Sequence, residues 1–329
     1  QLRGHGRSEG IHRDHVTIGR MSTLILHHDN CLRHETGFRH VERPERVTAV
    51  LNAVTELKGI EALPAPRATL EQLTQVHPEE YWQELVGLEP GNGDDRGIVA
   101  LDADTFMSPG SIDATLRGSG AACFAIDQIE AGKADNAFCA VRPPGHHALS
   151  TIPMGFCLLN HVAVAARYAI ERGFAERVAI LDFDVHHGNG TQGIFEESPE
   201  VLFVSSHQMP LYPGSGHPSE TGVGNIVNQP LAPGDGSDAF RTAWSDRGLP
   251  EVARFQPDLV LVSAGFDAHM RDPLGQLQLT DDDYGWITAG IRDVAETACN
   301  GKVVSLLEGG YDLEALATAS TAHVKALTA

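Results

Sequence analysis

Apolar residues in this chain gather in short unbroken runs instead of strict alternation. The clearest runs cover 24–27, 137–141, 178–183, 201–205, 259–263 and 303–307, and each reads as a strand covered on both faces. Between them, apolar positions recur at helical spacing over 43–57, 111–131, 160–172, 238–255 and 281–299. Asn160 is placed to cap one helix and Gly173 to end it. Thr280 followed by Asp281, Asp282 and Asp283 sets acids at the positive end of another. This alternation predicts an α/β protein with a three-layer αβα architecture and a mostly parallel sheet. Nothing divides residues 21–329 by composition or repeat, which predicts one domain. Residues 1–20 are basic, rich in Gly, His and Arg, and lack the apolar core of a signal peptide. They are expected to be a disordered extension or a remnant of expression.

Polar residues concentrate where the runs end. RPPGHHA follows 137–141, DVHHGNG ends the run over 178–183, and SHQMPLYPG follows 201–205; AGFDAH and EGGYD follow the last two runs. In a parallel sheet the carboxyl ends of strands share one edge, where ligand sites form. The pattern predicts one site assembled from five loops.

The stretch ILDFDVHHGNGTQG, residues 180–193, admits two readings. Gly188, Gly190 and Gly193 have dinucleotide-loop spacing, whereas Asp182, Asp184 and His186 fall at alternate positions and share one side of an extended chain. The dinucleotide reading needs a glycine at the tight strand-to-helix turn and an acid ~20 residues on. Two histidines precede Gly188 here, and SHQMPLY over 206–212 holds no acid. The glycines are better explained by a crowded backbone. Two converging carboxylates repel unless a cation joins them, and Asp267, past a separate strand, offers another oxygen. Asp184, His186 and Asp267 make an O/N/O set with a position left open, the pattern of a catalytic zinc site; Fe(II) or Mn(II) tolerates the same donors. His146 and His147, after a Pro-Pro-Gly turn, can supply a general base and acid. Asp182 and Asn189 suit the orienting of the two rings, and Tyr311 can donate to a developing oxyanion.

Together RPPGHHA, DFDVHHGNGTQ, SAGFDAH and LEGGYD resemble the histone deacetylase family, in its class II and bacterial amidohydrolase branch, from about Met21 to about Tyr311. The resemblance implies the arginase/deacetylase fold and one Zn²⁺ per chain on Asp184, His186 and Asp267. It implies His147 as general base and acid, His146 as its electrostatic partner, and Tyr311 polarising the amide carbonyl. Asn189 stands where class I relatives carry aspartate, a departure shared by class II that bears on the basicity of His147. A structural K⁺ is implied at Asp182, Ser205 and the main chains of Asp184, His186 and Ser206, with a further monovalent site near Phe195, Ser198 and Val201. Phe156 and Tyr212 are the implied walls of an acyl-lysine tunnel, with Gly155 at its side; Gly309 and Gly310 are counted as substrate-binding positions. Leu274, seven residues after Asp267, occupies the place where polyamine-selective relatives can carry a glutamate. That leans towards acyl-lysine or a neutral acyl substrate, with Glu42, Asp102 and Asp104 as acids able to take the glutamate's part.

Composition narrows the classes. A net charge of −20, from 44 acids against 24 bases, argues against a nucleic-acid partner and is compatible with a cationic substrate. Five scattered cysteines without a CxxC pair suit reduced thiols. No apolar run approaches the ~18–20 residues of a membrane span; with no export signal read in residues 1–20, a cytoplasmic location is expected, with homo-oligomerisation left open. Acetylpolyamine deacetylation and ester hydrolysis remain alternatives on the same site. A two-manganese ureohydrolase expects Asp-x-Asp where this chain has Asp267-Ala268-His269, and a serine hydrolase expects a G-x-S-x-G that Ser263 lacks. A non-catalytic binding protein would be expected to have lost a ligand, a base or the tyrosine.

Overall fold

The computed structural model describes residues 23–91 and 97–329. The expectations for residues 1–20, and for a domain start at Met21, lie outside the described residues. Strands follow one another as β1 Thr23–His27, β2 Ile60–Pro64, β3 Val99–Ala100, β4 Phe106–Met107 and β5 Asn136–Cys139. They continue as β6 Val178–Asp182, β7 Val201–Gln208, β8 Ile226–Leu231, β9 Leu259–Ala264 and β10 Val303–Leu307. Eight form one sheet in the order β2-β1-β5-β10-β9-β6-β7-β8, with every neighbouring pair parallel. β3 and β4 make a separate antiparallel ladder.

The unbroken apolar runs have the expected cause. In β6, Ala179 and Leu181 enter one core while Val178 and Ile180 enter another; in β9, Val260 and Val262 divide in the same way from Leu259 and Leu261. Helices Glu45–Val54, Asp281–Cys299 and Leu313–Leu327 cover the first face, and Ser111–Glu130 and His161–Glu171 the second. Both faces of the sheet are dry, so both faces of each central strand must be apolar. The caps follow the sequence: Asn160 accepts from the Ala163 amide, Gly173 has φ 71° just past the helix end, and Thr280 with Asp283 forms a capping box.

The pattern missed β2 and β8, the two edge strands. Edge strands lack a second flank; β2 (IEALP) is largely exposed and β8 mixes polar residues into its run. The helix expected over 238–255 is in fact Ser237–Ala243, a π-helical turn Trp244–Gly248, and Leu249–Phe255. Trp244 is fully buried and donates from Nε1 to Ser206 Oγ at 2.9 Å. Gly248 lies against its ring, where a Cβ would sit 2.6 Å from a ring carbon. The wider turn gives the indole room.

Candidate functional site

Two strands bring the metal-type donors together. Asp182 ends β6, and the chain beyond it turns so that Asp184 and His186 face Asp267, which follows the adjacent strand β9. His186 Nδ1 lies 3.1 Å from both Asp184 Oδ1 and Asp267 Oδ2. The three donor atoms lie within 4.8 Å of one another and all three residues are buried, a set able to hold a metal ion. The second oxygens are occupied: Asp184 Oδ2 accepts from Gly309 N at 2.8 Å and Asp267 Oδ1 from Val185 N at 2.8 Å. Backbone presses close here, since a Cβ on Gly309 would meet Asp267 Oδ2 at 2.1 Å. Burial works against a charged His186, yet the hydrogen bonds and charges of Asp184 and Asp267 push its pKa up to about 10. The carboxylate pair demands positive charge between its oxygens, as a divalent cation would supply.

The paired histidines lie beside this cluster with ring centroids 4.0 Å apart. Glu308, fully buried, accepts from the amides of Gly145 and His146 at 2.7 and 3.1 Å and fixes the turn that carries them. His146 Nδ1 meets Asp182 Oδ2 at 3.0 Å. Burial opposes charge on His146, but Asp184 and Asp182 outweigh it and hold its pKa well above the usual value. His147 goes the other way: burial, then the charges of His146 and His186, hold it well below, so it stays neutral. Its Nδ1 is 2.8 Å from Asn189 Oδ1, while Asn189 Nδ2 donates to Met154 Sδ at 3.3 Å. The glycines of the opening stretch serve this crowding: a Cβ on Gly188 would lie 2.3 Å from Asp182 Oδ2, and one on Gly190 would lie 2.2 Å from the Ala148 carbonyl.

A cavity of about 260 Å³ opens over the histidines and His186, walled by Gly155, Phe156, Tyr212, Leu274, Gly309 and Tyr311 among others. Gly155 (φ 55°) passes so close to His147 that a Cβ would meet its ring at 2.4 Å. Phe156 is held at φ 70°, a strained conformation for a non-glycine residue. The Tyr311 amide donates to Asp272 Oδ2 at 2.7 Å, and the Arg46 guanidinium stacks 4.8 Å from its ring centroid. Burial holds the Tyr311 hydroxyl well above its ordinary pKa, so it is a neutral donor.

Some expectations need correction. Gly310 is not among the cavity walls; its carbonyl accepts from Arg46 Nε at 2.6 Å. Glu42 cannot meet a substrate, being fully buried and gripped by Arg142 at 2.8 and 2.7 Å and by Arg46 at 3.1 Å. Asp102 spends an oxygen on the amides of Asp104 and Thr105, whereas Asp104 does reach the cavity. The implied potassium position is not among these corrections: Ser205 is the register partner of Asp182, with its hydroxyl 2.9 Å from His207 Nδ1, and Ser206, expected to contribute its main chain, accepts from Trp244 Nε1 through its hydroxyl. At the further monovalent position, the carbonyls of Phe195, Ser198 and Val201 all converge on Asn225 Nδ2. Sequence reasoning passed over Met154, Asp272, Glu308 and Arg46, which act through backbone or through other side chains and sit in no motif with the residues they serve.

Comparisons with known proteins agree with this architecture. The histone deacetylase domain pattern matches residues 40–327. The chain is 40% identical over 303 residues to a probable deacetylase of Archaeoglobus fulgidus, covering 89% of this chain and 82% of that one. It is 41% identical over 280 residues to the histone deacetylase-like amidohydrolase of Pseudomonas aeruginosa, covering 83% and 72%. The crystal structure of the HDA15 HD domain superposes with a TM-score of 0.86 at 34% identity, covering 94% of this chain and 90% of that one. Among the described residues no helix is long and apolar enough to cross a membrane. This chain belongs to the histone deacetylase family, and it is a deacetylase-type hydrolase of amide C–N bonds.

Proposed function

We propose that this protein is a zinc-dependent amidohydrolase that removes acetyl or other acyl groups from acylated amines, with acyl-lysine as the favoured substrate. The observation that carries the reading is His186 Nδ1 lying 3.1 Å from a carboxylate oxygen of each of two aspartates, beside the paired histidines and under one cavity. Asp184, His186 and Asp267 would hold one ion, and a bound zinc supplies Lewis acidity towards the acyl carbonyl and acidifies water. Asp182 and Ser205 are the side chains that would hold a structural K⁺.

His147 does the proton work. Asn189 holds its Nδ1 proton, leaving the Nε2 lone pair to take a proton from attacking water and to return it to the departing amine. His146, charged beside Asp182 and Asp184, keeps its neighbour neutral until that transfer. Tyr311 donates to the acyl oxygen as negative charge builds on it. Phe156 and Tyr212 flank an alkyl chain, and Leu211 and Leu274 leave Asp104 as the acid in the cavity wall. Leu274, where polyamine-selective relatives can carry a glutamate, favours a lysine-type methylene chain, and Asp104 is the acid with which a polyamine's second ammonium would pair.

Among the described residues the metal-type cluster is Asp184, His186 and Asp267 without His269, whose Nδ1 accepts from Arg271 N at 3.2 Å and whose Nε2 lies 3.5 Å from Asp281. Ser263 Oγ, buried and without a partner, has no base to make it a nucleophile. The test is turnover of purified protein on acetyl-lysine peptide, acetylputrescine, longer acyl-lysines and an aryl ester, before and after chelation and zinc repletion. The expected result is zinc-restored turnover highest on an acyl-lysine. Preference for acetylputrescine or the ester would replace the substrate assignment, and activity indifferent to chelation would remove the metal.

A further inference from the structure

The loop between helix Asn189–Phe195 and β7 turns three main-chain carbonyls inward, and a side chain from the start of β8 meets them. Asn225 Nδ2 lies 2.8 Å from Phe195 O, 3.0 Å from Ser198 O and 2.8 Å from Val201 O. All four residues are buried, with exposures of 0% to 9%. Three oxygens around one point at these distances form the kind of cage that binds a monovalent cation, and the family resemblance places such an ion at these residues. An amide nitrogen carries only two hydrogens for the three oxygens, but its partial positive charge has the sign the cage requires.

The orientation of this amide is decided by its other end. Asn225 Oδ1 accepts from the Val223 amide at 3.2 Å. Turning the amide over would set its oxygen against three carbonyls and its NH₂ against a main-chain N–H, so Asn225 would lose its partners at both ends, while the Val223 N–H would keep Glu196 O at 2.9 Å. A cation at the centre would relieve only the first of these and would leave the Val223 N–H facing another donor. The residues present therefore do not fit a second monovalent ion.

We propose that the Asn225 side chain stands in for that ion, so that the loop joining Phe195 to β7 is locked by an internal amide and not by K⁺. The cage remains latent: removing the amide exposes three buried carbonyls to whatever cation the solvent holds.

The test uses native zinc-loaded protein and two variants. Crystals of the native protein soaked in a thallium(I) salt are expected to show no anomalous peak among the Phe195, Ser198 and Val201 oxygens; a peak there overturns the proposal. This arm stands even if a variant fails to fold. Asn225→Gly empties the cage, and Asn225→Asp puts a carboxylate oxygen where the NH₂ was. Melting temperatures are compared in K⁺ and in tetramethylammonium, an ion too large for the cage. Both variants are expected to melt lower than native in tetramethylammonium and to gain several degrees more from K⁺ than the native protein does. A K⁺ response equal to the native one in every folded variant would show that the three carbonyls do not form a cation cage, and the proposal would fail.

Discussion

Asn189 can set the proton on His147 only if its own amide is kept from turning over, and Met154 does this. A thioether accepts hydrogen bonds and donates none, so the nitrogen of Asn189 must face Sδ and its oxygen must face the imidazole. His147 then carries its proton on Nδ1 and keeps Nε2 as a base. Met154→Leu, which keeps the bulk and removes the acceptor, is expected to lower kcat about three- to tenfold with little change in KM. In an Asn189→Asp background the same substitution is expected to have no effect, because either carboxylate oxygen can accept. Equal losses in both backgrounds, measured by steady-state kinetics, would mean that Met154 acts by packing alone. Tyr311→Phe removes the donor while leaving the Arg46 stacking and the Asp272 contact, which the backbone makes. It is expected to fold and bind metal as before and to lose roughly 10²–10³-fold in kcat on amide substrates; unchanged kcat would end the role assigned to its hydroxyl.

At the scale of elements, the active edge is held from behind by one buried carboxylate. Glu42, just before helix Glu45–Val54, accepts from Arg142 beyond β5, and Arg46 on that helix donates to the carbonyls of Glu308 and Gly310 beyond β10. Three segments distant in sequence are tied together beneath the histidine turn and the Tyr311 loop. Glu42→Gln would leave two buried guanidinium groups short of their counter-charge and is expected to cost on the order of 3–5 kcal/mol, read as a lower denaturant midpoint. Burial would raise the Glu42 pKa, but Arg142 and Arg46 hold it at about 2, below the 4.5 of the free side chain. A depressed acid stabilises the fold above pH 4.5 and loses that contribution as pH falls towards 2. The variant should lack this part of the acid-unfolding profile.

Across the whole molecule, histidine burial sets the response to acid. Burial holds His34, His77, His161, His187, His207 and His323 at about 3 to 4, below the ordinary 6.5. Unfolding lets each take a proton at a higher pH, so their neutral packing stabilises the fold above 6.5 and loses effect as pH falls towards 3. Asp182, Asp272 and Glu308, raised to about 6, 7 and 7, work in the opposite sense over part of the range, but they are fewer. The melting temperature is expected to fall steadily from pH 6.5 to 4. A flat or rising profile in circular-dichroism melts would show that the carboxylates dominate.

What the sequence determined by itself was whatever a short segment encodes. Apolar runs mark strands dry on both faces, capping residues mark helix ends, and polar residues gathered after the runs mark the edge where chemistry collects. Asp184 and His186 could be paired by reading because they stand two positions apart on the one segment that leaves β6. Only the tertiary structure decided the rest. β9 lies beside β6, which brings Asp267 to His186; a carboxylate eligible from its type alone, Glu42, is instead enclosed by two arginines; and Asn225 meets three carbonyls from another loop. Spacing along a chain carries period and burial. Which groups meet depends on how separate segments pack, and an edge strand, wet on one flank, leaves too weak an apolar signature to read.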